Sequence, residues 1–182
     1  MMTDQGKVLV IGLGNPGTDY ENTYHNAGAL ALDAIATLLA DGETARWDVH
    51  KKLFSSATAG TWIFVKPLTF MNVSGTAVRE ASRKFNVPAK NIIILHDDSD
   101  LPLGTWKMSR GQGAAGHHGV ESAIAALGAN DFTRIRIGIR PANERVRKKA
   151  EEFVLRKITK AAAATLGKTF GEIAKTLQAE TT

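Results

Sequence analysis

A histidine and an aspartate in this sequence have the residue types of a general-base pair. His25 lies in the stretch TYHNAG at residues 23–28, and Asp97 follows an isoleucine-rich stretch at residues 91–95. A carboxylate that accepts a hydrogen bond from an imidazole fixes the tautomer of the ring and stabilises the imidazolium that forms when the ring takes a proton. We therefore predict that His25 acts as a general base and that Asp97 is its acceptor.

Two asparagines are candidates for binding a polar group near that pair. Asn15 follows the first predicted strand, and Asn72 follows the strand that ends at Lys66. A side-chain amide can donate to a developing oxyanion and can also orient a peptide group. Each residue has a plainer explanation, since Asn15 precedes a Pro-Gly turn signal, and Asn72 or Ser74 could cap the helix that follows.

The letters GLGNPG at residues 12–17 match the G-x-G-x-x-G pattern of a dinucleotide-binding loop. That loop requires a helix that starts within the glycines and an acidic residue at the end of the next strand. Here the next helix is predicted to begin near Thr23, and the strand at residues 61–65 is followed by Lys66 and Pro67. We therefore predict no cofactor. The alternative hypothesis, an enzyme that uses a nucleotide cofactor, is supported by the letter pattern alone.

Metal and nucleophile chemistry find little support in the sequence. The chain has 5 histidines but no H-x-x-x-H or similar chelate spacing, so we predict no metal. It has no cysteine, which excludes disulfides and thiolate zinc sites, and no G-x-S-x-G nucleophile elbow. The histidine and aspartate pair is therefore the leading chemical interpretation.

Strand and helix patterns alternate along the chain. Apolar and β-branched stretches predict strands at residues 7–13, 61–65, 91–95, 105–110 and 132–139. Apolar residues at three- and four-residue spacing predict helices around residues 27–38, 77–85, 120–127 and 162–177. We therefore predict an α/β fold, a single three-layer domain over residues 1–182 in which a twisted, mostly parallel (mixed) sheet has helices on both faces.

The polar candidates lie where the predicted strands end. Ligands of open α/β sheets collect outside the carboxyl ends of the strands. Asn15 and Asn72 each follow a strand, and His96 and Asp97 are expected to close a third, so all converge if those strands are neighbours. A satisfied strand-end histidine at His96 and an acidic turn at residues 97–100 are the plainer alternatives.

The net charge of +5 is unevenly distributed along the chain. In the strand at residues 132–139, Arg134 and Arg136 alternate with isoleucines, so both are expected on one wet face. Residues 101–150 predict a patch that attracts a polyanion if its basic side chains share a face, and a solvated basic surface is the alternative. These basic residues are Lys107, Arg110, Arg134, Arg136, Arg140, Arg145, Arg147, Lys148 and Lys149.

Length and composition favour one globular domain. The chain has 182 residues, of which 43% are hydrophobic, enough to bury a core. The N-terminus lacks a basic region leading into an apolar stretch, and no apolar stretch is long enough to cross a bilayer. We therefore expect a soluble cytoplasmic protein.

Six sequence blocks together resemble the bacterial-type peptidyl-tRNA hydrolase family. They are GLGNPG at residues 12–17, TYHNAG at 23–28, KPLTFMNVSG at 66–75, HDDSDLPLG at 96–104, GHHG at 116–119 and FTRIRIGI at 132–139. Their order and spacing match the family across nearly the whole chain. The resemblance implies a monomeric enzyme of translation that needs no metal or cofactor. Such enzymes hydrolyse the ester between a peptide and the 3′-terminal ribose of tRNA, which recycles tRNA after ribosome drop-off.

The resemblance also implies roles for individual residues. His25 resembles the catalytic histidine that activates a water molecule, and Asp97 resembles its carboxylate partner. Asn15 and Asn72 resemble asparagines that bind the peptide main chain and help to stabilise the tetrahedral intermediate. Further substrate-binding candidates are Tyr20, Phe70, His117 and His118. Lys107 and Arg136 resemble positions that contact tRNA phosphates. Arg110, Arg134 and the basic residues at 145–149 would extend this set of phosphate contacts.

Several positions depart from the family pattern. His118 stands where asparagine is usual, Tyr24 stands where arginine usually precedes the catalytic histidine, and Ser109 stands where a basic residue is common. Residues 111–116 are less rich in glycine than usual, which is expected to stiffen that loop. None of these departures changes the four residues predicted to act on the ester. We therefore expect an active enzyme with altered substrate binding. The alternative is a non-catalytic RNA-binding relative of the family.

Overall fold

Seven strands form one mixed sheet in the computed structural model, which describes residues 6–40, 46–141 and 153–180. The strands are β1 Val8–Gly12, β2 Asp48–His50, β3 Phe54–Ala59, β4 Trp62–Pro67, β5 Ile92–Pro102, β6 Trp106–Arg110 and β7 Thr133–Arg140. Their order across the sheet is β2-β3-β4-β1-β5-β7-β6. Pairing is parallel from β4 through β1 and β5 to β7 and antiparallel at both edges. The predicted α/β fold with a mixed sheet is confirmed.

Helices cover both faces of this sheet. Within the described residues they are α1 Ala27–Leu39, α2 Ser74–Phe85, α3 His118–Leu127 and α4 Lys160–Glu180. Side chains alternate along β1, so Val10 packs in the core with α1 and α4, whereas Leu9 and Ile11 pack in the core with α2 and α3. Burial on both faces explains why the central strands are continuously apolar. None of the helices in the described ranges combines the length and the hydropathy needed for a membrane span.

Strand β5 extends further than the sequence predicted. Its pairing with β1 ends where Gly12 lies beside Leu95, but its pairing with β7 continues through Asp97 and Asp98. The expectation that His96 and Asp97 close the strand, and the alternative of an acidic turn, are therefore wrong, because both residues lie inside β5. Since β1 has already ended at this level, His96 and Asp97 lie beyond its carboxyl end, where ligands of such sheets collect.

Two glycines allow α1 to approach the central strands closely. A Cβ atom at Gly28 would overlap the carbonyl oxygen of Leu95, and one at Gly12 would overlap the backbone of Gly28. The N–H of Ala29 donates to the carbonyl of Leu13 at 2.9 Å, which holds the first turn of α1 against the end of β1. The first glycine of the GLGNPG letters therefore serves helix packing, and this contact brings the turn before α1 beside β5.

The packing at Gly28 makes a testable stability prediction. We expect Gly28→Ala to destabilise the protein by about 3 kcal/mol, because the added methyl group forces the backbones of α1 and β5 apart. Gly171 in α4 is the matched control, since a Cβ atom there meets no atom within 4 Å. Gly171→Ala is expected to stabilise by about 1 kcal/mol through helix propensity. Urea unfolding followed by circular dichroism measures both, and equal stability of the two variants would contradict the packing argument.

Candidate active site

His25 and Asp97 are in direct contact beyond the end of β1. The Nδ1 atom of His25 lies 2.9 Å from Asp97 Oδ1. His25 belongs to the 3₁₀ turn Tyr24–Asn26 that precedes α1, and Asp97 belongs to β5. The Asp97 side chain is 3% exposed, whereas the His25 side chain is 14% exposed and lines a cavity. The contact that the sequence predicted is therefore present, with one ring nitrogen of His25 left for another partner.

A second histidine contacts the same carboxylate oxygen. His117 Nε2 lies 2.9 Å from Asp97 Oδ1, and His117 Nδ1 accepts a hydrogen bond from the N–H of Val120 at 3.3 Å. Because Nδ1 accepts, the proton of the neutral ring is on Nε2, and the ring donates to Asp97. We predicted His117 only as a substrate-binding residue. Its contact with Asp97 joins positions 20 apart in the chain and has no local sequence signal.

Burial and hydrogen bonding have opposite effects on Asp97 and His25. Burial by itself raises the pKa of Asp97, but the interactions with His117 and His25 outweigh it, so this pKa lies well below its usual range. Burial by itself lowers the pKa of His25, but the hydrogen bond and the charge of Asp97 outweigh it and raise the pKa above 6.5. Asp97 is therefore ionised at neutral pH and stabilises a protonated His25.

His96 supports Asp97 from inside the sheet. Its Nδ1–H donates to the backbone carbonyl of Asp97 at 2.8 Å, and its ring packs edge-on against His117 with centroids 4.7 Å apart. Burial and the neighbouring His117 lower the pKa of His96 to about 3, so the ring is neutral. The plainer prediction of a satisfied histidine is right for Nδ1, but Nε2 is buried without a hydrogen-bond partner among the described residues.

Asn15 is held in place by hydrogen bonds from two sides. Its Oδ1 accepts from the N–H of Met71 at 2.8 Å. The side chain of Asn26 accepts from the Asn15 N–H at 2.8 Å and donates to the Asn15 carbonyl at 3.0 Å. Because its oxygen is engaged, Asn15 keeps its Nδ2–H donors for another partner. Asn26 was not among our predicted site residues, although it follows His25 directly in the sequence.

Phe70 and Asn72 flank Met71 and form an exposed rim beside Asn15. The Asn72 side chain is exposed and makes no hydrogen bond to the described part of the chain. Phe70 is 53% exposed, and its ring lies edge-on to Tyr20 with centroids 6.0 Å apart. The structure thus brings four of the predicted substrate-binding residues together on one side of the site.

The predicted capping of α2 by Asn72 or Ser74 is wrong. No side chain caps this helix, and the Ser74 hydroxyl instead donates to the carbonyl of Met71 at 2.8 Å. The reason is that the 3₁₀ turn Met71–Val73 runs directly into α2, so the residues before α2 are already helical and no extended residue precedes the helix to cap it. The side-chain amide of Asn72 is therefore not used for capping.

A cavity of about 460 Å³ opens beside His25 and Asp97. It is lined by residues 96–100 of β5, residues 114–118 at the start of α3, and Val154. His118 lies in this lining with its side chain exposed, and its Nδ1 lies 3.1 Å from Glu121 Oε2. The rim formed by Asn72, Phe70 and Tyr20 lies outside the lining of the cavity.

Two of the predicted phosphate-binding residues are exposed on β6. Lys107 lies beside Arg136 of β7 in the register of the sheet. Arg110 donates to the carbonyls of Asp131 at 2.8 Å and Lys90 at 3.2 Å, so part of its guanidinium is already engaged. The basic residues predicted at 145–149 lie outside the described residues.

The expectation of a wet face on β7 is wrong. Arg134 is 2% exposed, and its Nη1 has no hydrogen-bond partner among the described residues. Arg136 is partly buried and pairs with Asp98, its Nε lying 2.6 Å from Oδ2. The reason is that Arg134 lies beside Ile94 of β5 in the register of the sheet, on the face that α2 and α3 cover. Burial and the charge of Arg136 lower the pKa of Arg134, and a phosphate contact would require the residues that cover Arg134 to move.

Comparison with known proteins assigns the chain to a family. The family model described as peptidyl-tRNA hydrolase matches residues 9–182. The chain belongs to the peptidyl-tRNA hydrolase family. It is 41% identical over 179 residues to the peptidyl-tRNA hydrolase of Marinobacter nauticus, which covers 95% of this chain and 88% of that relative. It is 41% identical over 157 residues to that of Nocardia farcinica, covering 83% and 78%.

The fold is similar to a solved structure of the same family. The crystal structure of the peptidyl-tRNA hydrolase from Acinetobacter baumannii superposes with a TM-score of 0.81 at 26% identity, over 96% of this chain and 88% of that one. The resemblance found from six short blocks is thus confirmed as membership of the peptidyl-tRNA hydrolase family. The roles of the individual side chains stay predictions, because these similarities concern the chain and not its chemistry.

The donor atoms around Asp97 also have the composition of a metal site. Among the described residues, His25, Asp97 and His117 are the group whose ligand atoms converge closely enough to hold an ion. Two nitrogens and one oxygen would suit a transition metal. The same nitrogens are hydrogen-bonded to Asp97 at 2.9 Å, and both would have to lose their protons to bind an ion. For this member of the peptidyl-tRNA hydrolase family, the absence of a metal stays a prediction.

Proposed function

We propose that this chain hydrolyses the ester bond between the peptide and the 3′-terminal ribose of peptidyl-tRNA. Membership of the peptidyl-tRNA hydrolase family supports the reaction and its tRNA substrate. The observation that carries the mechanism is the 2.9 Å contact between His25 Nδ1 and Asp97 Oδ1 at the wall of a cavity. The products are a free peptide and a free tRNA, which returns to translation after ribosome drop-off.

His25 activates the attacking water. Asp97 accepts from the Nδ1–H of His25, so the lone pair of the neutral ring is on Nε2. Nε2 takes a proton from a water molecule while the water oxygen attacks the ester carbonyl, and Asp97 stabilises the imidazolium that forms. The imidazolium then gives this proton to the 3′ oxygen of the ribose as the carbon–oxygen bond breaks. One water is consumed, and the peptide acid and the ribose hydroxyl are released.

Asn15 and Asn72 supply donors to the substrate. The Met71 N–H holds the side-chain oxygen of Asn15 at 2.8 Å and so fixes the amide with its N–H donors available. Asn72 presents a second amide one residue beyond Met71. A donor to the tetrahedral oxyanion typically contributes about 10²–10³-fold to kcat. Phe70 and Tyr20 lie next to these amides and provide apolar surface for the side chains of the peptide.

His117 keeps Asp97 in place as an acceptor. Its Nδ1 is occupied by the Val120 N–H, so only Nε2–H is directed to the carboxylate. With two donors on one oxygen, the buried Asp97 carboxylate is held in its ionised form. We therefore propose that His117 orients Asp97 in addition to its predicted contact with substrate. His118, at the exposed wall of the cavity, is proposed to contact substrate only.

Lys107 and Arg136 are the proposed contacts to tRNA phosphate. We expect Lys107→Ala to raise KM about fivefold and leave kcat nearly unchanged, since an exposed charge pair contributes up to about 1 kcal/mol. The plot of the logarithm of the binding constant against the logarithm of the salt concentration is expected to become less steep, by about the contribution of one phosphate contact. Steady-state kinetics at several salt concentrations measure both, with the exposed Lys168→Ala in α4 as the control. A lower kcat with unchanged KM would contradict the phosphate role.

The reaction itself is tested with the wild-type protein. N-acetylaminoacyl-tRNA is the substrate, and release of the N-acetylamino acid and binding of the tRNA are measured in parallel. We expect turnover without added metal or cofactor. Binding of tRNA without turnover would make the chain a non-catalytic RNA-binding member of the family, which is the alternative function. If the protein neither binds the tRNA nor turns it over, both proposed functions are contradicted.

A further inference from the structure

One lysine far along the chain holds the loop that leads to His25. The ammonium of Lys157 donates to the main-chain carbonyls of Asp19 at 2.8 Å and Glu21 at 2.6 Å, and it lies 3.4 Å from that of Thr18. These carbonyls belong to residues 16–22, hereafter the 16–22 loop, which connects Asn15 to the turn that carries His25. A lysine ammonium has three donors, so this loop alone can satisfy Lys157.

The residues around Lys157 form a second connection to the same part of the chain. The N–H of Tyr24 donates to the carbonyl of Arg156 at 3.1 Å, and the N–H of Ile158 donates to the carbonyl of Asn22 at 2.7 Å. These bonds make an antiparallel bridge directly before His25. The ring of Tyr24 also stacks on Phe153 with centroids 4.5 Å apart. Residues 153–158 therefore begin beside the turn that carries His25 and run back to the end of the 16–22 loop at Asn22.

The 16–22 loop has little structure of its own to fix its shape. Its residues 17–19, 21 and 22 are exposed, and Asn22 has a φ of 58°, a left-handed conformation that is unfavourable for most residues. Two turn hydrogen bonds, from Tyr20 to Gly17 and from Thr23 to Tyr20, are its internal backbone links. A loop that lacks buried apolar contacts opens locally at low cost. Its order therefore depends on the contacts from residues 153–158.

We propose that Lys157 is a positioning residue, which acts through the 16–22 loop to hold His25 and Tyr20 in register with Asp97 and Phe70. The inference rests on the proposed role of His25 as the general base. Displacement of a catalytic group by about 1 Å can cost up to about 10²-fold in rate. Loss of the ammonium is expected to lower kcat about tenfold, because the bridge and the stack of Tyr24 on Phe153 remain.

The absence of cysteine from the chain allows a test by chemical rescue. In Lys157→Cys the new thiol is the single one in the protein. Alkylation with 2-bromoethylamine restores a side chain of lysine length that ends in an ammonium, and alkylation with 2-bromoethanol gives a similar length that ends in a hydroxyl. Lys160→Cys, at the exposed start of α4, is treated in the same way as the control for side reactions. Lys157→Met serves as a second variant if the thiol variant does not fold.

Two readouts separate positioning from other roles. We expect Lys157→Cys to show a kcat about tenfold below wild type with KM within twofold, recovery after aminoethylation, and no recovery after hydroxyethylation. Hydrogen exchange of amides 18–24 is expected to accelerate in the variant and to slow again after aminoethylation. The Lys160→Cys protein is expected to match wild type throughout.

Three results would overturn the positioning role. They are a wild-type kcat in Lys157→Cys, equal rescue by both reagents, or a raised KM with unchanged kcat, which would make Lys157 a direct phosphate contact. Failure of the proposed function is distinguishable from these results. If His25→Ala keeps full turnover, the role of His25 is wrong and the positioning role fails with it. In that case the exchange rates still report whether Lys157 holds the loop.

Discussion

His25→Ala is expected to lower kcat for hydrolysis of N-acetylaminoacyl-tRNA by about 10³-fold, because general acid–base help typically contributes about 10²–10⁴-fold. The KM for the tRNA is expected to change little, since the proposed phosphate contacts Lys107 and Arg136 lie on β6 and β7, away from the turn that carries His25. The mechanism uses the Nε2 of His25 twice, first to accept a proton from water and then to protonate the ribose oxygen. Single-turnover kinetics with excess enzyme measure the chemical step directly.

Two further variants make the His25 prediction specific. His25→Asn retains a donor for Asp97 but has no basic nitrogen, so it is expected to be as slow as His25→Ala. His50→Asn is the control, because His50 is bonded to Ser56 on β3 and is not part of the cavity lining. It is expected to keep wild-type turnover. Full activity in His25→Asn would show that the residue only orients groups and is not the base.

The central strands and the family could be predicted because their signals are local. The isoleucine-rich stretch before His96 is buried in β5, as its composition indicates, since a strand covered on both faces needs apolar residues at every position. The motif blocks have fixed letters at fixed spacing and can be read without coordinates. The pair of His25 and Asp97 followed from their residue types, with His25 near the start of the first predicted helix and Asp97 directly after the isoleucine-rich strand and His96.

The remaining features depend on which elements become neighbours. The length of β5 is set by β7, which pairs with it beyond the end of β1. Arg134 is buried because it lies on the face of the sheet that α2 and α3 cover, although its alternation with isoleucine is typical of a half-exposed strand. The contacts of His117 with Asp97 and of Lys157 with the 16–22 loop join distant positions. No residue pattern within a single element predicts such contacts.

Asp97→Asn is expected to lower kcat by about 10²-fold, at the low end of the range for general-base catalysis. The asparagine oxygen can still accept hydrogen bonds from His25 Nδ1–H and His117 Nε2–H, so the variant removes the charge and keeps the shape. Without that charge, the imidazolium formed during water activation loses its stabilising partner. The exposed Asp131→Asn is the control for the substitution and is expected to keep wild-type kinetics.

The pH dependence of the same variant distinguishes the charge of Asp97 from its geometry. The base must be neutral, so kcat/KM of the wild type falls as the pH drops through the pKa of His25, which Asp97 raises above 6.5. In Asp97→Asn the opposing effect of burial remains, and burial lowers that pKa. The acid limb of the profile is therefore expected to move to lower pH. A slower variant whose acid limb stays in place would mean that Asp97 orients the ring without setting its basicity.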